Sequence, residues 1–441
     1  MTFSIVAQFV VVLAAIWLGA RYSGVGLGLW GAVGLLVLVV AFGVTPTSPP
    51  IDVMLIILAV IMAASVMDAA GGIDFLVRIA ERIIRANPKY VTIVAPLTTW
   101  SFTFVAGTGH IVYPLLPVIY ETAHQTGIRP ERPMAVATIA SQQAITASPV
   151  AAATAAMIGL FAEKGMGQWG LPQILMICVP ATLTGVVVAA IVSMFIGKDL
   201  KDDPEYQARL KAGQVPPAKS LGESAALPPA AKASAFIFLG GVALVVLFGF
   251  FPQLRTLPGA KSALAMPIVI EIVMLSVAAI MLWVTKVHVD TVPKTATLRA
   301  GVVAVIGIFG LAWLGDSFIA AHKDVIVPAI GNLAKEAPWT FAFGLFFASV
   351  LLYSQAATTR ALMPLGVALG IPPQFLIAMF PSVNGYFFIP TYGSLIAAIN
   401  FDLSGTTKIG RYVLNHSFMI PGLVATAVAV ITGLFLARVM F

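Results

Sequence analysis

Two apolar stretches of this chain are each cut near the middle by a short polar tip, Gly107-Thr108-Gly109-His110 in one and Ser354-Gln355-Ala356-Ala357-Thr358-Thr359-Arg360 in the other. Backbone that leaves the helical hydrogen-bond ladder at membrane depth survives only where protein buries it or where it lines a wet cavity. The constraint applies because the rest of the chain reads as membrane helix. Crossing a hydrocarbon core about 30 Å thick takes about 20 apolar residues. Runs of that kind lie at 3 to 20, 24 to 43, 51 to 70 and 171 to 197, then at 234 to 253, 264 to 285, 300 to 320 and 412 to 439. The composition, 59% hydrophobic and 10% charged, excludes an ordinary soluble domain, where about a quarter of residues carry charge. The expected fold class is an all-α polytopic membrane protein.

The net charge of +7 arises from 25 Lys and Arg against 18 Asp and Glu. These cations are scattered between apolar runs, which fits a positive-inside bias and a lipid bilayer as partner; no nucleic acid is expected. Cys178 is the only cysteine, so no disulfide framework or cysteine-based metal site is expected, and no cofactor. No Lys or Arg precedes the first run, which reads as a retained span; a cleaved signal peptide is not expected.

The landmarks of the first half return in the second. Asp68 ends a span, an amphipathic stretch (Phe75, Leu76, Ile79, Ile83 and Ile84 against Arg78, Arg82 and Arg85) follows, and a hairpin at 90 to 126 comes next. Asp316, a stretch around Val325, Ile326 and Ile330, and a hairpin at 338 to 369 repeat that order. Ser141 lies 14 residues beyond Gly127 and Asn384 lies 14 beyond Gly370, each in a span broken by proline, Pro149 or Pro390. The sequence therefore predicts an inverted repeat: residues 1–197 and 234–441, joined by a polar linker at 198–233 expected to be solvated and partly disordered. Each half is expected to hold about five crossings and one re-entrant hairpin, about ten spans in all. Placing both termini outside puts most of the Lys and Arg inside, including those of the linker, Lys286, Lys294, Arg299, Lys408 and Arg411. Spans 3–70 and 234–320 are continuous and suit a static scaffold; the hairpins with spans 134–197 and 374–439 suit a moving transport unit.

Two tips and two breaks imply one central site where the repeats meet. Starts of half-helices present free N–H groups and positive dipole ends that suit an anion, while carbonyls and hydroxyls suit a small cation. Facing anion pockets fit a ligand with a carboxylate at each end. The candidate substrate-binding residues are Thr108, Gly109, His110, Thr146, Ser148, Ser354, Gln355, Thr358, Thr359, Arg360, Asn384 and Thr391, beside the Ser141-Gln142-Gln143 break. Arg360 has no carboxylate near it in sequence and is the expected main cationic contact, with Ser354, Thr358 and Thr359 beside it and Thr108 and Ser148 serving the other end. A sodium site is expected near Ser141 and Asn384, with Na+ or H+ as coupling ion. Gly24, Gly28, Gly31 and Gly34 read as helix packing. Asp68 and Asp316 read as caps or hinges, and Glu271 as paired with a cation or near the membrane boundary. An intramembrane enzyme is the competing class, but no Gly-x-Ser-x-Gly elbow, His-Glu-x-x-His pair or aspartate dyad is evident.

The segment Ser354 to Pro364, Ala106-Gly107-Thr108-Gly109, the Ser141 to Pro149 run, Gly405-Thr406-Thr407-Lys408-Ile409-Gly410 and the linker's Asp202-Asp203-Pro204 closely resemble the Dcu family of anaerobic C4-dicarboxylate transporters, over essentially the whole chain. More distantly, the Ser-Gln-Ala-Ala-Thr tip is similar to the Ser-Asn-Thr hairpin signatures of divalent-anion/sodium symporters in the wider ion transporter superfamily; the first tip, Gly-Thr-Gly-His, departs from that signature. The resemblance implies exchange or cation-coupled uptake of succinate, fumarate, malate or aspartate across a bacterial inner membrane by an elevator movement, in a homodimer. It also allows, in addition to transport, a contact between the polar loop from Asp402 to Arg411 and a sensor kinase. The alternative is transport of another small organic anion.

Overall fold

In the computed structural model the apolar runs become helices whose ends fall where glycine, proline or polar clusters interrupt them. The structure describes residues 3–22, 24–215, 227–260, 262–352, 354–410, 412 and 414–441. All regular structure among them is helical. The first half comprises α1 (Phe3–Tyr22), α2 (Gly26–Phe42), α3 (Ile51–Ala69), α4 (Gly72–Ala86), the hairpin α5 (Val91–Ala106) and α6 (Val112–Gln125), the broken pair α7 (Glu131–Gln143) and α8 (Ala152–Glu163), and α9 (Leu171–Ser193). After α10 (Pro204–Lys211), the second half comprises α11 (Ala231–Phe250), α12 (Met266–Thr285), α13 (Ala296–Glu336), the hairpin α14 (Phe341–Leu352) and α15 (Gln355–Ala368), the broken pair α16 (Pro373–Met379) and α17 (Gly393–Phe401), and α18 (Met419–Met440). The backbone of α13 leaves helical geometry at His322, between its apolar part and the arm that answers α4. The side chains of Ile326 and Ile330 lie outside the described residues.

Among the described residues, six helices, α3, α9, α11, α12, α13 as far as His322, and α18, are long and apolar enough to cross a membrane. Shorter apolar stretches lie in α1, α2, α8 and around α14. The protein is a multi-pass helical membrane protein.

Glycines bring two helices into backbone contact. A Cβ on Gly28 of α2 would fall 1.9 Å from the Ile306 carbonyl oxygen, and one on Gly310 of α13 would fall 1.7 Å from the Gly28 carbonyl oxygen. Small residues are what let membrane helices approach this closely, because lipid supplies no hydrophobic drive between them. Elsewhere α9 packs along α18 and α3 along α12.

The first part of the linker, residues 198–215, is more ordered than its composition predicts. Asp203 caps α10 by accepting from the Glu205 and Tyr206 N–H groups, with Pro204 in the first turn; both are favourable helix-start chemistry. Asp203 also pairs with Arg129, and Tyr206 is buried with its hydroxyl 2.9 Å from His124 Nε2. Residues 216–226 of the linker, and the loop cations Lys261 and Arg411, lie outside the described residues.

Candidate functional site

Both hairpin tips and both helix breaks meet at one cavity of about 570 Å³. Four helix beginnings of the hairpins and broken pairs open onto it, and so does that of α2. Thr108, Gly109 and His110 precede α6; Ala152 and Ala153 start α8; Ser354, Gln355, Ala356 and Ala357 start α15; and Thr391, Tyr392 and Gly393 start α17. Gly24 and Leu27, with Ala300, Val303, Ala304 and Gly307 of α13, close another wall. Among the described residues, no Lys, Arg, Asp or Glu lines the cavity.

Local chemistry makes the tips. Gly107 ends α5 with φ of 70°, a left-handed conformation natural to glycine, and a Cβ there would fall 2.6 Å from the Val150 carbonyl oxygen. Thr108 Oγ1 accepts from the His110 N–H at 3.3 Å, and Ser354 Oγ accepts from the Ala357 N–H at 3.2 Å. Each cap uses one of the unsatisfied N–H groups of a helix start and leaves others without an intrahelical partner. His110 stacks on Tyr113, with ring centroids 5.9 Å apart.

Of the twelve candidate residues, Thr108, Gly109, His110, Ser354, Gln355 and Thr391 line this cavity. The others lie behind it. Thr358 and Thr359 donate to the Ser354 and Gln355 carbonyls, at 2.8 and 2.7 Å, and are buried. They belong to a continuing helix, where only part of a polar run faces any one side. Thr146 donates to the Gln143 carbonyl and Ser148 accepts from the Val150 N–H, both fully buried. Asn384 is buried between Gln355, Gln143 and the Pro381 carbonyl. Ser141 donates to the Thr138 carbonyl at 2.8 Å.

Arg360 needs the largest correction. Its Nη1 lies 3.0 Å from Glu163 Oε2 and its Nη2 3.1 Å from Asp316 Oδ2, while the side chain is 1% exposed. The guanidinium therefore has two protein carboxylates, supplied by α8 and α13, and does not line the cavity. The expectation that a substrate must neutralise it fails because both partners are remote in sequence. The capping expectation fails with it: Asp316 binds Arg360, and Asp68 accepts from Thr297 Oγ1 at 2.7 Å. Glu271 has no ion pair among the described residues.

Sequence reasoning missed Gln142, Tyr113, Tyr392 and Gly393 as lining residues. Gln142 had a signal, since it sits in the polar break of the first broken helix. Nothing in the sequence separates Tyr113 or Tyr392 from ordinary helix-boundary aromatics. The polar loop beyond α17 turns inward: Asp402 is buried and accepts from Thr406 Oγ1 and the Thr407 N–H at 2.8 and 2.6 Å.

Comparison with known proteins places this architecture. A family model described as anaerobic C4-dicarboxylate membrane transporter, covering DcuA and DcuB, matches residues 4–441. The chain is 42% identical over 438 residues to the Escherichia coli C4-dicarboxylate transporter DcuA, covering 99% of this chain and 100% of that one. It is 40% identical over 443 residues to DcuA of Wolinella succinogenes, covering 99% and 100%. It is also 40% identical over 435 residues to the Escherichia coli anaerobic C4-dicarboxylate transporter DcuB, covering 97% of each. Among solved structures, Neisseria gonorrhoeae MtrF, described with a class of antimetabolite efflux pumps, aligns with a TM-score of 0.52 at 13% identity, covering 92% of this chain and 84% of that one. At that identity the likeness concerns the fold alone.

Proposed function

The chain belongs to the family of anaerobic C4-dicarboxylate membrane transporters that includes DcuA and DcuB, and from that premise we propose that it carries C4-dicarboxylates such as succinate, fumarate, malate and aspartate across a bacterial inner membrane. The family is one of transporters, so the intramembrane-enzyme reading falls away. The observation that carries the proposal is the convergence of the four helix starts of the hairpins and broken pairs on a cavity that, among the described residues, is lined by no Lys, Arg, Asp or Glu. Each helix start carries roughly half a positive charge, so the four of the hairpins and broken pairs together offer roughly two. That matches a dianion, and the remaining N–H groups and the Ser354 and Thr108 hydroxyls supply donors. Of the predicted residues, Thr108, Gly109, His110, Ser354 and Thr391, with the backbone of Gln355, are assigned to substrate on this basis.

We read the two halves as inverted repeats of five crossings and one hairpin, counting each broken pair as a crossing. Support comes from the recurring element order and from the odd number of crossings, which turns the second copy over. The distribution of Lys and Arg then puts both termini in the periplasm and α10 in the cytoplasm. Continuous α1, α2, α3, α11, α12 and the first part of α13 suit a homodimeric scaffold; the hairpins and broken helices, with α9 and α18, suit an elevator body carrying substrate past it. Exchange, or coupling to Na+ or H+, drives flux, and a sensor kinase contact belongs to the 402–411 loop.

Counterflow tests the proposal. Liposomes containing the purified protein and loaded with succinate should take up labelled succinate saturably, with competition from fumarate, malate and aspartate. Uptake equal to that of empty liposomes would refute it.

A further inference from the structure

One backbone carbonyl sets the polarity of the amide side chains behind the cavity. Asn384 Nδ2 lies 3.1 Å from the Pro381 carbonyl oxygen, which only accepts, so Nδ2 must be the atom on that side. Asn384 Oδ1 therefore faces Gln355, whose atom at 3.2 Å must donate and is Nε2. The same Nε2 lies 2.8 Å from Gln142, which must accept there through Oε1. Gln142 Nε2, with its two N–H groups, is thus turned the other way, against Gly109. No hydrogen-bond acceptor for it is found among the described residues. Both Gln142 and Gly109 line the cavity.

We infer that Gln142 Nε2 is a donor to one substrate carboxylate, and that Gln355 and Asn384 are the positioning residues that hold it in that sense from the Pro381 carbonyl. The inference rests on the dicarboxylate reading and adds to it a contact residue on the first repeat, oriented by residues of the second. A donor in a site without cationic side chains contributes more than its share, because a hydrogen bond to a charged group in low dielectric is stronger than a neutral one. Gly109 is required by the same geometry: a Cβ there would fall 2.3 Å from Gln142 Nε2 and displace the donor.

Binding of labelled succinate to purified protein tests this. Gln142→Glu keeps an oxygen to accept from Gln355 but turns a carboxylate oxygen toward the substrate, and should weaken affinity by more than the roughly ten-fold expected from losing one bond to a charged group. Gln142→Met keeps length and approximate volume without charge, so it reports on the same donor if the first variant does not fold. It should lose roughly ten-fold. Asn384→Ala should also weaken binding, and Asn384→Asp, which keeps an oxygen accepting from Gln355 in either protonation state, should restore part of it. Wild-type affinity in a folded Gln142→Glu or Gln142→Met variant would overturn the contact. Asn384→Asp binding no better than Asn384→Ala would overturn the relay. If the unaltered protein binds no C4-dicarboxylate, it is the substrate reading that fails, and the inference built on it fails too.

Discussion

Arg360 of α15 donates through Nη2 to Asp316 Oδ2 on α13, 3.1 Å away, and so ties the second hairpin to the long helix that forms the facing wall of the cavity. Its second bond, to Glu163 of α8, completes the neutralisation. Breaking a buried pair by removing one partner costs roughly 3–5 kcal/mol, because the other charge is left uncompensated. Arg360→Ala should therefore lower the unfolding temperature of the purified protein sharply, whereas Asp316→Asn, which leaves Glu163 in place, should lower it less. Equal stability of Arg360→Ala and the unaltered protein would show that the pair contributes nothing.

The two classes of left-handed glycine separate sterics from conformation. Gly107 and Gly127 have φ of 70° and 75°, but only Gly107 has a neighbour close to where a Cβ would sit. Gly127→Ala should cost about 1–2 kcal/mol, the penalty for an L-residue in that region, and transport should persist. Gly107→Ala adds a clash with the Val150 backbone and should abolish uptake while the protein still reaches the membrane. Similar uptake by both variants would remove the steric argument.

Acid should loosen α10. Burial pushes the Asp203 carboxyl up, but the Tyr206 N–H, the Arg129 guanidinium and the Glu205 N–H outweigh it and hold the group below its ordinary value of 3.8. A carboxyl lowered in the folded state contributes stability that is present above the unfolded value and lost as pH falls through the folded one. Hydrogen exchange at 204–211, corrected for intrinsic rates, should quicken on acidification below that range, and Asp203→Asn should quicken it already at neutral pH. A profile in Asp203→Asn identical to that of the unaltered protein would contradict this.

The orientation has its own test. Single cysteines at Lys211 and Gln253, with Cys178 replaced by alanine, should react with an impermeant thiol reagent from opposite faces of the membrane, Gln253 from the periplasm. Labelling from one face would reject the inverted topology.

The sequence made three interruptions legible through residues with a marked backbone consequence, Gly107, Pro149 and Pro390, and the second tip only through the polar run from Ser354 to Arg360 in an apolar stretch. That sufficed to bring Thr108, Gly109, His110, Ser354, Gln355 and Thr391 to one cavity. It did not tell which residues of a polar run face inward. Thr358 and Thr359 continue a helix and spend their hydroxyl protons on its carbonyls. Arg360 looked unpaired because Glu163 and Asp316 are 197 and 44 residues away. The polarity of Gln142 depends on Pro381 in the other repeat, which no local pattern reveals. The Asp203-Pro204 start signal was present in the sequence but was outweighed by the polar composition around it.

The most direct test of the central claim, that a dicarboxylate sits among the four helix starts, is substrate protection of one cavity position. In a protein with Cys178 replaced by alanine, Ala152→Cys places a thiol at the first residue of α8, on the cavity wall. Succinate at concentrations that saturate counterflow should slow its alkylation several-fold, and butyrate, with one carboxylate, should not. An alkylation rate unchanged by saturating succinate, in protein that still transports it, would place the substrate elsewhere.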